Sequence, residues 1–166
     1  QLKTLEAIAA NGADGFYEGP VASAIAQTIT AESGIFSTDD LSAYQPTERK
    51  APESTFHGKQ IFTMPPPSSG GVALLQTLQS LEDWETLTQK NLKSLQHNSP
   101  DYIHLVTEVL KHAFADRAEF LGDTDFVEVP VDRLLHRDYS RSIAEHVSMT
   151  STLAPEKYGR FFLNSD

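Results

Sequence analysis

The sequence has no cysteine, so disulfides and thiolate zinc sites are excluded, and cysteine usage does not discriminate between redox compartments. Positive charge is scarce: 13 Lys and Arg stand against 23 Asp and Glu, a formal net charge of −10. That balance argues against nucleic acid or an anionic membrane surface as a partner. Long apolar runs are missing too, since none approaches the roughly 20 residues that span a bilayer. Gln1-Leu2-Lys3-Thr4-Leu5 has no initiator methionine and no signal-peptide core, and it opens inside a helical pattern. The stretch from Arg160 to Asp166 ends without a capping helix. Both ends read as cut, so the expectation is a fragment of a longer polypeptide.

What is present is ordinary for a globular chain: 39% hydrophobic and 22% charged residues. A chain of 166 residues can bury roughly two-thirds of its unfolded surface in one domain. Residues 1–166 are therefore expected to form a single partial domain, with about 148–166 as an irregular tail.

Leu2, Leu5, Ile8 and Ala9 share a helical face that Asn11-Gly12 stops. Pro20 opens a second helix carrying Val21, Ala24, Ile25, Thr28 and Ile29, which Ser33-Gly34 ends. Ser37 or Thr38 caps a short turn through Asp39-Asp40-Leu41. Residues 52–64 favour extended chain with a turn over Phe56-His57-Gly58-Lys59-Gln60, which predicts a β-hairpin. Met64-Pro65-Pro66-Pro67 is expected to leave it as polyproline II. Ser68-Ser69-Gly70-Gly71 then caps a helix over 71–82, followed by a polar connector from Asp83 to Asn98. Ser99-Pro100 starts the best helix, with Tyr102, Leu105, Val106, Val109, Leu110, Ala113 and Phe114 as its core stripe and Gly122 as its left-handed cap. Shorter helical patterns lie near Val131–His136 and Tyr139–Val147. The fold class is α-rich α+β, with several helices and one β-hairpin.

Candidate chemistry is sparse. His104, Glu108, His112 and Asp116 recur every four residues and share one helix face. Such a row reads as a solvated face stabilised by charge pairs, with divalent metal binding the sharper alternative. Asp123, Asp125 and Glu128 resemble a calcium loop, but the twelve-residue spacing is absent, and turn formation explains them. Asp116-Arg117 reads as a structural salt bridge holding the helix to its neighbour. Ser68 and Ser69 sit where a helix start cradles an anion, yet capping accounts for them; a serine nucleophile would need a base such as His57, and no Gly-x-Ser-x-Gly elbow exists.

Taken together, several motifs in order resemble the gamma-glutamyltransferase (gamma-glutamyl transpeptidase) family. They are Gly15-Phe16-Tyr17-Glu18-Gly19, Asp39-Asp40-Leu41-Ser42-Ala43-Tyr44, Met64 through Gly71, and Phe114-Ala115-Asp116-Arg117-Ala118-Glu119-Phe120-Leu121-Gly122-Asp123 with Asp125-Phe126. The resemblance covers the C-terminal half of that family's large subunit. It implies a fragment of an N-terminal nucleophile hydrolase with an αββα sandwich, made as a self-cleaving precursor. The implied reaction is transfer or hydrolysis of the gamma-glutamyl group of glutathione and related compounds, by an N-terminal threonine of the small subunit. That threonine, the arginine that grips substrate and the paired oxyanion serines all fall outside residues 1–166. No catalytic, cofactor-binding or metal role is therefore carried onto any residue, and no cofactor is implied.

The implied partners are the small subunit and a gamma-glutamyl substrate, in a periplasmic or extracellular setting. Alone, the chain is expected to be inactive and to self-associate through open strand edges. Alternatives are a related acylase of the same fold, a non-catalytic helical interaction module, and a helix-face metal protein using His104, Glu108 and His112.

Overall fold

A computed structural model describes residues 1–160; residues 161–166, the end of the expected tail, lie outside the described residues. The chain divides into two compact units, Gln1–Glu48 and Arg49–Asp166.

The first unit holds helices α1 (Leu2–Asn11), α2 (Asp14–Tyr17), α3 (Gly19–Ala31) and α4 (Thr38–Ser42). Gly12 ends α1 at φ 62, and proline opens α3 as the sequence predicts. Ser37 caps α4 in a reciprocal box: its hydroxyl accepts from the Asp40 amide while the Asp40 carboxylate accepts from the Ser37 amide at 2.7 Å. Gly15 lies so close to α1 that a Cβ there would stand 2.2 Å from the Ala7 carbonyl oxygen. The apolar face of α1 is left uncovered, with Leu2 and Leu5 exposed by 70% and 63%.

The second unit begins with strands β1 (Glu53–Phe56) and β2 (Lys59–Phe62), antiparallel with Phe56 opposite Lys59. The turn is tighter than expected. Only His57 and Gly58 stand between the strands, both at positive φ, the geometry of a type I′ hairpin. Helices α5 (Ser69–Thr88), α6 (Pro100–Phe120), α7 (Val131–Leu134) and α8 (Arg137–His146) follow, with 3₁₀ turns at Leu92–Leu95 and Pro155–Lys157. Val72, Leu81 and Trp84 of α5 meet Leu105 and Val109 of α6, and Leu134, Tyr139, Ile143 and Ala144 complete the core. Each large apolar side chain sealed there contributes roughly 1.5–3 kcal/mol.

Several expectations are corrected. The three prolines do not continue as polyproline II: the Pro66–Pro67 bond is cis and the Ser68 amide donates back to the Pro65 carbonyl at 3.1 Å, closing a turn. Ser68 occupies the cap position of α5 without a side-chain capping bond. Nor does α5 stop near residue 82; Trp84, 1% exposed, carries it on to Thr88, and Gln89 ends it in the left-handed region. Gly122 is not a left-handed cap, because α6 ends when Leu121 turns extended at φ −92. Phe114, placed on the core stripe by its type, is 55% exposed.

Candidate functional site

The row at every fourth position of α6 turns inward. Glu108, His112 and Asp116 are 3%, 1% and 1% exposed, so the expected solvated face is in fact sealed. Buried ionisable groups persist only when hydrogen-bonded, and here most of the donors come from far along the chain. A strap, residues 147–160, lies against α6 and supplies them. His104 Nε2 meets the Ser148 carbonyl at 2.8 Å. Glu108 receives the Tyr158 hydroxyl at 2.6 Å, the Thr152 hydroxyl at 3.0 Å and the Lys111 ammonium at 2.6 Å. His112 Nδ1 accepts from the Gly159 amide at 2.9 Å, and its ring packs edge-on to Tyr158. Asp116 accepts from the Arg160 amide at 2.6 Å, the Tyr139 hydroxyl at 2.8 Å and Gln76 Nε2 at 2.8 Å.

Electrostatics follow from that packing. Burial pushes the His112 pKa down to about 4, the charge of His146 adds to the fall, and Glu108 opposes it. The ring is therefore neutral at pH 7, with Nδ1 as acceptor. Burial raises Asp116 despite the opposing bonds from the Arg160 amide, Tyr139 and Gln76. For Glu108, burial is the largest single influence and acts upward, but the bonds from Lys111, Tyr158 and Thr152 together outweigh it and hold the carboxyl below its usual value.

These acceptors face protein donors, so the arrangement binds chain to chain. Among the described residues, no group of three or more His, Asp or Glu converges as a metal would require. Asp123 accepts from the Asp125 amide at 3.0 Å, and Asp125 pairs with Arg49 at 2.5 Å, which makes this loop a pinned turn. Asp116 and Arg117 do not pair with each other: Arg117 Nε donates to Ser69 Oγ at 2.6 Å, tying α6 to the start of α5. His57 stacks on Phe56 and reaches Glu85 of α5 at 2.5 Å, so its bond joins the hairpin to that helix.

Tyr158, Gly159, Thr152, Tyr139 and Gln76 were not legible as parts of this cluster. The one available signal was the Tyr158-Gly159 pair in the tail.

Comparison with known proteins matches the family described as Gamma-glutamyltranspeptidase over residues 1–164. The glutathione hydrolase proenzyme of Escherichia coli (strain K12) is 40% identical over 147 residues, covering 89% of this chain and 24% of that protein. The Acylase ACY 1 proenzyme of Pseudomonas sp. (strain SE83) is 38% identical over 137 residues, covering 82% and 24%. The solved gamma-glutamyltranspeptidase from Pseudomonas nitroreducens, complexed with L-DON, superposes with a TM-score of 0.83 at 38% identity, covering 95% of this chain and 46% of that one. The chain thus spans about a quarter of the length of the proenzymes it matches. Sequence match, relatives and helix-rich fold with its two-stranded sheet agree: the chain belongs to the gamma-glutamyltranspeptidase family.

Proposed function

We propose that this chain is scaffold for a gamma-glutamyltransferase or glutathione hydrolase, in which it covers and contributes strands to an αββα sandwich. The catalytic threonine opens a small subunit that lies beyond these residues, and the chain by itself is inactive. The complete protein takes glutathione or a related gamma-glutamyl compound, and passes the acyl group to water or to an amine acceptor. We place it in the periplasm or outside the cell. Among the described residues, no helix is long and apolar enough to cross a membrane.

The observation that carries this reading is the family match over residues 1–164, supported by 40% identity to a glutathione hydrolase proenzyme. The geometry is in keeping with it: the sealed groups of α6 are engaged in holding the strap. The test is release of p-nitroaniline from gamma-glutamyl-p-nitroanilide. The complete gene product should turn it over and the 166-residue chain should not. Turnover by the chain alone would overturn the scaffold assignment. A second reading, an acylase of the same family, is favoured by the 38% identity to Acylase ACY 1 proenzyme. Activity of the complete product on an aliphatic acyl amide, with none on the gamma-glutamyl anilide, would decide for it.

A further inference from the structure

The strap meets α6 in a fixed order. Ser148, Thr152, Gly159 and Arg160 bond to His104, Glu108, His112 and Asp116 respectively, so the chain advances along the helix toward its C-terminal end. Tyr158 locks the middle rung, its oxygen also accepting from the Leu153 amide at 2.9 Å while its hydroxyl donates to Glu108. Gly159 locks the last. Its φ is +63, and a Cβ there would stand 2.5 Å from Asp116 Oδ1 and 3.0 Å from the His112 carbonyl oxygen. Arg160 also reaches Glu119 at 3.8 Å. A slip of one residue would place a side chain where only a glycine fits and would separate every donor from its acceptor.

We infer that the row on α6 is a positioning device, in which Glu108, His112 and Asp116 hold the strap through Arg160 and so set where the chain that follows is delivered. This rests on the proposed reading of the chain as part of a self-processing precursor, whose cleaved bond lies in that following chain. Self-cleavage adds one water across one main-chain amide and leaves a carboxylate and an amine. It requires the attacking hydroxyl within roughly 3–3.5 Å of the carbonyl carbon, and a misplacement of about 1 Å costs up to a hundredfold in rate. Tyr158 and Gly159 are the strap's half of this device. All five are assigned as positioning residues.

The test uses the full-length precursor and three readouts: self-cleavage followed by gel electrophoresis, amide hydrogen exchange over residues 148–160, and activity per processed molecule. Gly159→Ala inserts a methyl group into the Asp116 contact without substituting any residue of α6. It should speed exchange of the strap, slow self-cleavage by about tenfold or more, and leave the activity of processed molecules at the wild-type value. Tyr158→Phe, which keeps the ring against His112 but removes the hydroxyl, should slow cleavage by less. A strap that exchanges freely in Gly159→Ala while cleavage keeps its wild-type rate would overturn the inference, as would a strap that stays protected in that variant. Failure of the wild-type precursor to cleave would instead overturn the proposed function, and this inference with it.

Discussion

Acidifying the chain should unlock the second unit through His112, and the size of the effect follows from its burial. Its folded pKa is about 4 against 6.5 for an exposed imidazole. Between those values the unfolded chain binds a proton that the folded chain refuses, so stability falls as pH is lowered from 6.5 toward 4. At about 1.4 kcal/mol per unit, the full window corresponds to about 3 kcal/mol. Glu108 acts in the same direction lower down: its folded pKa is depressed, so its contribution is present above the usual carboxyl value and is lost as pH drops through the folded one. Asp116 opposes both. Its raised pKa means the unfolded chain releases the proton first, so above pH 3.8 its contribution declines as pH rises.

Burial sets His112 first, then His146 on α8 and, in opposition, Glu108 on α6; the Tyr158 ring packs edge-on against the imidazole and the Gly159 amide donates to it. Urea unfolding followed by fluorescence isolates this unit, because the single tryptophan, Trp84, lies in its core at 1% exposure. The control is His112→Gln, an uncharged side chain that can still accept the Gly159 amide. Between pH 7 and pH 4.5, the wild-type stability should fall more than that of the variant, by about 2.4 kcal/mol, roughly 70% of the full window. Parallel midpoints for the two proteins would refute the reasoning.

Leu105→Ala, at a fully sealed position of α6, should cost about 2–5 kcal/mol in the same assay, whereas Phe114→Ala on the exposed side should stay within about 0.5 kcal/mol. Equal losses would mean that α6 is rotated from the orientation described. The two-stranded sheet leaves an edge on each strand, and Phe62, Met64 and Phe126 are exposed by 61%, 68% and 85%. The isolated chain should therefore self-associate in light scattering as concentration rises; a monodisperse monomer across a wide range would contradict this.

The helices that obey local rules were readable. Ser99-Pro100 starts α6, Ser37 caps α4 and Gly12 ends α1 because capping depends on a few adjacent residues. The orientation of α6 was readable only in part: Leu105, Val109 and Ala113 of the expected stripe are buried, whereas Phe114 is exposed. Hydrophobic periodicity places apolar residues inward, and it ranked Phe114 above Asp116. The true inner face is chosen by donors 23 to 50 residues away, from Tyr139, Arg160, Gly159 and Tyr158, which no window along α6 contains. The length of α5 was misjudged because the polar residues around Asp83 read as a connector, whereas Trp84 is buried in the core and carries the helix on to Thr88. The family resemblance was legible because motifs recur in order along the chain, independently of which face each helix turns inward.

The most direct test of the scaffold assignment is the N-terminal sequence of the small product formed by the complete gene product. The account predicts a cut beyond Asp166 and a new chain that begins with threonine. An uncut polypeptide, or a product led by a residue without a side-chain nucleophile, would contradict it.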